Sequence, residues 1–329
     1  MQPEICTDDV RKHALDQWVS DQLGTTLSGE SASADASFRR YFRYQHNGTS
    51  YVAMDAPPET EDCRPFVDVA ERLQGAGIHV PRVFHQDLEN GFLLLSDLGH
   101  QTWLNVLNDA NADDLFSQAI DALIAIQVAA PTDGLPHYDD ALLERELQLF
   151  PQWFLFRHHR IAVKGEWRQR LDRLFGLLIK AALAQPKVFV HRDFMPRNLM
   201  LSAPNPGVID FQDAVSGPIT YDVISLFKDA FISWPEGKVL EWLAIYYQRA
   251  QAAGLPLPGD FDQFLRDCDL MGAQRHIKVM GIFARICHRD GKPQYLADVP
   301  RFHGYLRQVV QRRPELSDLS WVLDRLEEL

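Results

Sequence analysis

The chain has 329 residues, 46% hydrophobic and 24% charged, an ordinary globular composition that excludes a disordered or fibrous protein. Its 33 Lys and Arg stand against 45 Asp and Glu, and a formal net charge of −12 repels phosphate backbones, so no nucleic acid partner is expected. The opening MQPEICTDDVRKH lacks the apolar stretch of a signal peptide, and LFGLLIKAALA at 174–184 is too short to span a bilayer, so the expectation is a cytoplasmic protein with no membrane partner.

Cys6, Cys63, Cys268 and Cys287 form no C-x-x-C pair, which leaves neither a zinc site nor a disulfide framework. Val10, Ala14, Trp18 and Leu23 recur at helical intervals and predict an opening helix over 9–27. A small, polar loop follows at 28–37, SGESASADAS. FRRYFRYQHNGTSYVAMDA at 38–56 then holds two alternating runs around Asn47-Gly48, the residue pair that supplies positive φ for a hairpin turn. Residues 66–76 read as a helix closed by Gly75 and Gly77, Val80 to Phe84 as a strand, and GFLLLSDLG at 91–99 as a buried strand.

Beyond residue 100 the apolar period changes to three and four, in 112–127, 167–183 and 239–250, interrupted only by short runs at Val188–Val190 and Gly207–Phe211. Sheet first and helices later predicts a segregated α+β architecture: an N-terminal lobe over 1–97, an antiparallel sheet with one helix, and a larger, mainly helical lobe over 98–329.

KVFVHRDFMPRNLM at 187–200 and GVIDFQDAVSGPITYDVISLF at 207–227 each run from a strand-like stretch into a polar loop. The order His-x-Asp, four residues, Asn, then a strand-borne Asp is the one by which kinase-like enzymes assemble phosphoryl transfer. An attacking alcohol must lose a proton, which makes Asp193 the candidate base. Mg²⁺ takes oxygen ligands, which Asn198 and Asp210 offer. His191 is expected to brace the loop and Asp222 to steady it from beneath. Composition and spacing thus reach an ATP-dependent small-molecule kinase.

At these residues the chain resembles the aminoglycoside phosphotransferase family, small-molecule kinases of protein-kinase-like, bilobal fold, over nearly its whole length. SASADASFRRYF, MDAPP at 54–58, DFQDAVSGPITYD and FARICHRDGKPQYL look like the branch that phosphorylates N-acetylated amino sugars at the anomeric C1 hydroxyl in cell-wall recycling. The resemblance implies that loop 31–37, with Ser33 and Ser37, covers the ATP phosphates, and that adenine lies against the backbone at Leu95, Ser96, Asp97 and Leu98.

The sequence departs from the kinase pattern where YVAMDA carries no Lys and no clear helix Glu stands ready to pair with one. Arg39, Arg40 and Arg43 are the nearest cations, and Arg40 is the one expected on the nucleotide. Only eleven residues separate Asp210 from Asp222, too few for a peptide-docking segment, so a small acceptor is expected. From Arg275 to Arg313 nine Lys or Arg face two Asp, a local +7 that suits an anionic sugar; Arg275, Lys278, Arg285 and Arg289 are the candidate contacts, although any one of them reads first as a solvated charge paired with the acidic remainder. Trp234, Trp242 and Tyr246 read as core packing before sugar stacking. Two competing readings remain: a kinase for another acceptor, such as an aminoglycoside or choline, and an inactive nucleotide-binding regulator.

Overall fold

In the computed structural model, which describes residues 7–33 and 39–328, the first sheet grows from the Asn47-Gly48 turn. Both turn residues have positive φ, 48° and 76°, and strands β2 (Arg40–His46) and β3 (Thr49–Asp55) pair antiparallel with Tyr44 opposite Tyr51. Helix α1 (Thr7–Leu23) and strand β1 (Glu30–Ser33) precede them; helix α2 (Arg64–Gly75) and strands β4 (Val83–Asp87) and β5 (Phe92–Ser96) follow. The five strands run in the order β1-β2-β3-β5-β4, every neighbouring pair antiparallel. Two helices accompany this sheet, because α1 also packs on it: Leu15 and Val19 bury against Tyr44, Ala53, Phe92 and Leu94. Tyr44 donates its hydroxyl to Asp16 at 2.7 Å and fixes the helix to the strand.

The described residues divide into two compact units, one of Met1–Trp103 with Asn198–Asp213, the other of Leu104–Arg197 with Ala214–Leu329. In the first, β7 (Leu199–Met200) and β8 (Gly207–Val208) form a small ladder that joins the sheet by backbone bonds, Val208 N–H to His79 O at 2.7 Å and Leu201 N–H to Gln101 O at 2.8 Å. Gly207 packs closely there: a Cβ would stand 2.6 Å from Ser202 Oγ and 2.9 Å from Leu98 Cδ1, and those side-chain ends would have to turn aside.

The second unit is mainly helical. It holds most of the short α3 (Trp103–Val106), then α4 (Ala112–Ala129), α5 (Asp140–Leu147), a π-helical segment Phe150–His158, α6 (Glu166–Leu183), α7 (Tyr221–Phe227), α8 (Glu236–Ala252), α9 (Phe261–Asp290), α10 (Val299–Arg312) and α11 (Ser317–Glu327). One two-stranded ladder, β6 (Lys187–Val190) with β9 (Val215–Pro218), lies among them. The thirty-residue α9 is its axis: Leu270, Ala273, Ile277, Met280 and Ala284 share a core with Phe150, Phe154, Leu174 and Leu306. Trp242 and Tyr246 are buried, Trp242 against Phe116 at 4.4 Å, as core packing predicts. No helix among the described residues is long and apolar enough to cross a membrane.

Candidate active site

Val188, Phe189 and Val190 anchor β6 in the helical core, and the chain leaves that strand at His191 into the polar loop. Arg192 then adopts φ = 77°, a left-handed conformation that costs a non-glycine residue about 1 kcal/mol and turns the backbone sharply. The turn lets successive N–H groups converge on one acceptor: His191 and Arg192 donate to the Asp222 carboxylate at 2.6 and 3.0 Å. Asp222 is fully buried, and burial pushes its carboxyl up to about 7, the Asp193 charge adding to the rise while both N–H bonds and Arg275 oppose it. Asp193 donates its own N–H to His191 Nδ1 at 3.3 Å, and its side chain is half-buried. His191, Asp193 and Asp222 are thus brought together, with His191 and Asp222 in the bracing positions.

Behind the loop lies a buried ionic network that sequence reading missed. Arg192 turns inward onto Glu146 of α5, Glu146 also accepts from the Tyr138 hydroxyl, and Lys278 Nζ stands 3.6 Å from the same carboxylate. Lys278 further donates to Tyr221 Oη at 2.6 Å. Burial works against each charge, yet the partners outweigh it. Lys278 and Arg192 hold the Glu146 carboxyl below its usual range, and Glu146 and Tyr221 keep the Lys278 ammonium above its own. An Arg beside the loop Asp is the one signal that pointed this way; Glu146 itself reads as a solvated helix residue.

Asn198 and Asp210 come together in the first unit, where Asn198 Nδ2 donates to Asp210 Oδ2 at 3.3 Å. Asn198 is buried and Asp210 exposed with φ = 65°. Gln212 Nε2 donates to the other Asp210 oxygen at 2.9 Å, while Gln212 Oε1 is buried with no hydrogen-bond partner among the described residues. An amide and a carboxylate side by side, next to an orphaned carbonyl oxygen, form a hard-oxygen donor set that fits Mg²⁺.

On the nucleotide side, Ser33 ends β1 opposite Tyr41, and Ser37 lies outside the described residues. Arg40 bonds the buried Asp55 carboxylate, which Arg11 holds from the other side at 2.9 Å. Ser96 closes β5, its hydroxyl accepting from Arg82 N–H at 2.9 Å. Asp97 receives Arg43 at 2.6 Å, Ser50 at 2.6 Å and the Gly99 N–H at 3.0 Å. Burial would raise its carboxyl, but those donors hold it low. Leu98 is buried. The side chains of Ser96, Asp97 and Leu98 are thus engaged within the unit.

Of the α9 cations, Arg275 and Lys278 lie in the interior, with Arg275 Nη2 3.9 Å from Met195 Sδ of the loop. Arg285 and Arg289 are not brought to that loop, because the helical rise sets them roughly 15 and 21 Å farther along α9 than Arg275. Arg285 is half-buried, and Arg289 is exposed and pairs with Asp290 at 2.6 Å.

The chain as a whole has counterparts among known proteins. Residues 28–263 match the model of the phosphotransferase enzyme family. The chain belongs to that family. It is therefore a phosphotransferase of the kinase type, with a protein-kinase-like fold. This family member is 58% identical, over 97% of its length and 98% of the relative's, to the N-acetylmuramate/N-acetylglucosamine kinase of Pseudomonas aeruginosa. Choline kinase LicA from Streptococcus pneumoniae shares its fold, with a TM-score of 0.66 at 13% identity, covering 91% of this chain and 98% of that one. So does aminoglycoside phosphotransferase APH(4)-Ia, solved with ADP and hygromycin B, with a TM-score of 0.59 at 14% identity, covering 91% and 98%.

Proposed function

We propose that this phosphotransferase transfers the γ-phosphoryl group of ATP to the anomeric C1 hydroxyl of N-acetylmuramate and N-acetylglucosamine, releasing sugar 1-phosphates for reuse in the cell wall. The observation that carries the reading is the full-length 58% identity to a kinase named for those two sugars. The ordered set Asp193, Asn198 and Asp210 supports it, and the ADP held by a fold relative supports the nucleotide.

In this reading Asp193, oriented by the Asp222-bound backbone of its loop, accepts the proton of the attacking hydroxyl. A hemiacetal hydroxyl is more acidic than an ordinary alcohol, so a plain carboxylate suffices. Asn198 and Asp210 would hold Mg²⁺, which neutralises the charge developing on the polyphosphate. Most of the acceleration then comes from holding acceptor and phosphate in position.

Phosphorus NMR of enzyme mixed with ATP and each of N-acetylmuramate, N-acetylglucosamine, kanamycin and choline tests this directly. A sugar 1-phosphate resonance from the first two is expected. Product from kanamycin or choline alone would reassign the acceptor, and nucleotide binding without any product would mark an inactive regulator.

A further inference from the structure

Among the described residues three Lys or Arg side chains are buried, Lys228, Arg275 and Lys278, all in the helical unit. The two lysines have their counter-charges: Glu236 stands 3.2 Å from Lys228 Nζ and Glu146 stands 3.6 Å from Lys278 Nζ. Arg275, 2% exposed, makes no ion pair among the described residues, and its Nε and Nη1 are buried without a hydrogen-bond partner there. Its one bond runs from Nη2 to Met195 Sδ at 3.9 Å, and a thioether is a weak acceptor. An uncompensated buried charge is unfavourable, so a guanidinium left in this state calls for an anion that the chain itself does not supply.

The carboxyls of the same unit do not supply it. Asp222 and Asp229 both feel the Arg275 charge, yet burial pushes both toward the neutral acid and neither pairs with it. Asp222 spends its oxygens on the His191 and Arg192 N–H groups. Asp229 Oδ1 accepts from Phe231 and Ile232 N–H at 2.6 and 2.9 Å, and its Oδ2 is itself buried without a donor among the described residues. The cover over Arg275 is movable by contrast, because Met195 is half-buried and its unbranched side chain repacks readily. Met195 also belongs to the catalytic loop, two residues past Asp193, which sets the two Cα atoms within about 7 Å of each other.

We propose that Arg275 is the residue that distinguishes the two acceptors: with Met195 turned aside, its Nε and Nη1 grip the lactyl carboxylate of N-acetylmuramate while the C1 hydroxyl lies at Asp193. N-acetylglucosamine has a plain hydroxyl on C3 where N-acetylmuramate carries the lactyl ether, so it leaves the guanidinium unpaired. A planar fork of donors matches a carboxylate bidentately, which an ammonium does not. The inference rests on the proposed sugar-kinase reading and deepens it.

Steady-state kinetics with both sugars on wild type, Arg275→Met and Arg275→Lys, alongside thermal midpoints, tests it. The ratio of kcat/KM for N-acetylmuramate to that for N-acetylglucosamine is expected to fall about tenfold or more in Arg275→Met and less in Arg275→Lys. The Arg275→Met midpoint should equal or exceed that of the wild type, since an apolar side chain replaces an unpaired buried charge. A lowered midpoint with both sugars lost alike would make Arg275 an internal strut and overturn the proposal. Wild-type enzyme offers a check that needs no variant: N-acetylmuramate with its lactyl carboxyl converted to the amide should fall behind the parent sugar by a similar factor, and equal turnover of the two overturns the assignment. An unchanged sugar ratio in Arg275→Met overturns it as well and leaves the kinase reading standing. Wild type that phosphorylates neither sugar overturns the kinase reading and this assignment with it.

Discussion

Asp222 occupies a position where chemistry and burial oppose each other: two N–H donors favour its carboxylate, and complete burial disfavours it more strongly. With the folded value near 7 and the unfolded one at 3.8, the native state takes up a proton between them. The stability this carboxyl contributes is therefore full below the unfolded value and is lost as pH rises through the folded one. Urea unfolding of wild type and Asp222→Asn at about pH 5.5 and about pH 8 should show the wild-type advantage shrinking at the higher pH; a gap that widens would contradict the sign.

At the neighbouring position, Asp193→Asn should retain nucleotide binding and lower kcat by about 10²- to 10⁴-fold, checked by titration alongside steady-state kinetics. Glu146→Gln leaves the buried Lys278 and the half-buried Arg192 without their counter-charge. We expect a loss of about 3 kcal/mol in chemical denaturation, accompanied by a fall in kcat as the loop loosens. That Asp222 braces the loop at His191 could be expected from the sequence, because ITYDV follows a strand run closely after the HRD loop. Glu146 could not be, since forty-six positions separate it from Arg192 and nothing in DALLEREL marks an inward carboxylate.

Among the elements, the β2–β3 hairpin could be read because two residues decide its turn, and helices α4, α6 and α8 because their apolar period persists over many residues. Strand β4 begins at Val83, later than the sequence suggests: Pro81 has no N–H to give the ladder, and the first exchange with β5 comes from Arg82, whose carbonyl accepts from Ser96 N–H at 2.9 Å. The π-helical segment carries no sequence mark. Its position depends on a tertiary contact, since a Cβ on Gly281 of α9 would stand 2.5 Å from the Leu149 carbonyl carbon and 2.6 Å from Phe150 N. Gly281→Ala gains helix propensity but forces these backbones apart, and overpacking of this kind costs about 1–3 kcal/mol. A lower thermal midpoint in circular dichroism is the expected result, whereas a rise would mean the segment moves away at no cost.

For the whole molecule, the +7 of residues 275–313 could be counted from sequence, but its counter-ions could not. They come from elsewhere in the chain. Arg312 and Arg313 meet Asp269 at 2.5 and 2.8 Å, Arg312 also meets Glu236 at 2.8 Å, and Arg307 reaches Asp324 and Glu327 at 2.7 Å. Much of the basic segment thus binds the helical unit to itself, as a mixed-charge interior edge does, and the field left for an anionic acceptor is smaller than the count implies. Nucleotide binding is expected to appear at this scale as well. With Mg·ATP at about one hundred times its dissociation constant, mass action adds about 2.7 kcal/mol to the folded state. Scanning calorimetry should record a midpoint several degrees higher, and no rise at millimolar Mg·ATP would count against the nucleotide.

The short ladder of β7 and β8 has a practical outcome for dissecting the gene. A product truncated after Trp103 would leave the carbonyls of His79 and Gln101 and the side chain of Leu98 stripped of the strands that cover them, and such a fragment should aggregate. To obtain a soluble stand-alone sheet unit, residues 198–213 must be spliced back behind residue 103 through a linker replacing the excised helices.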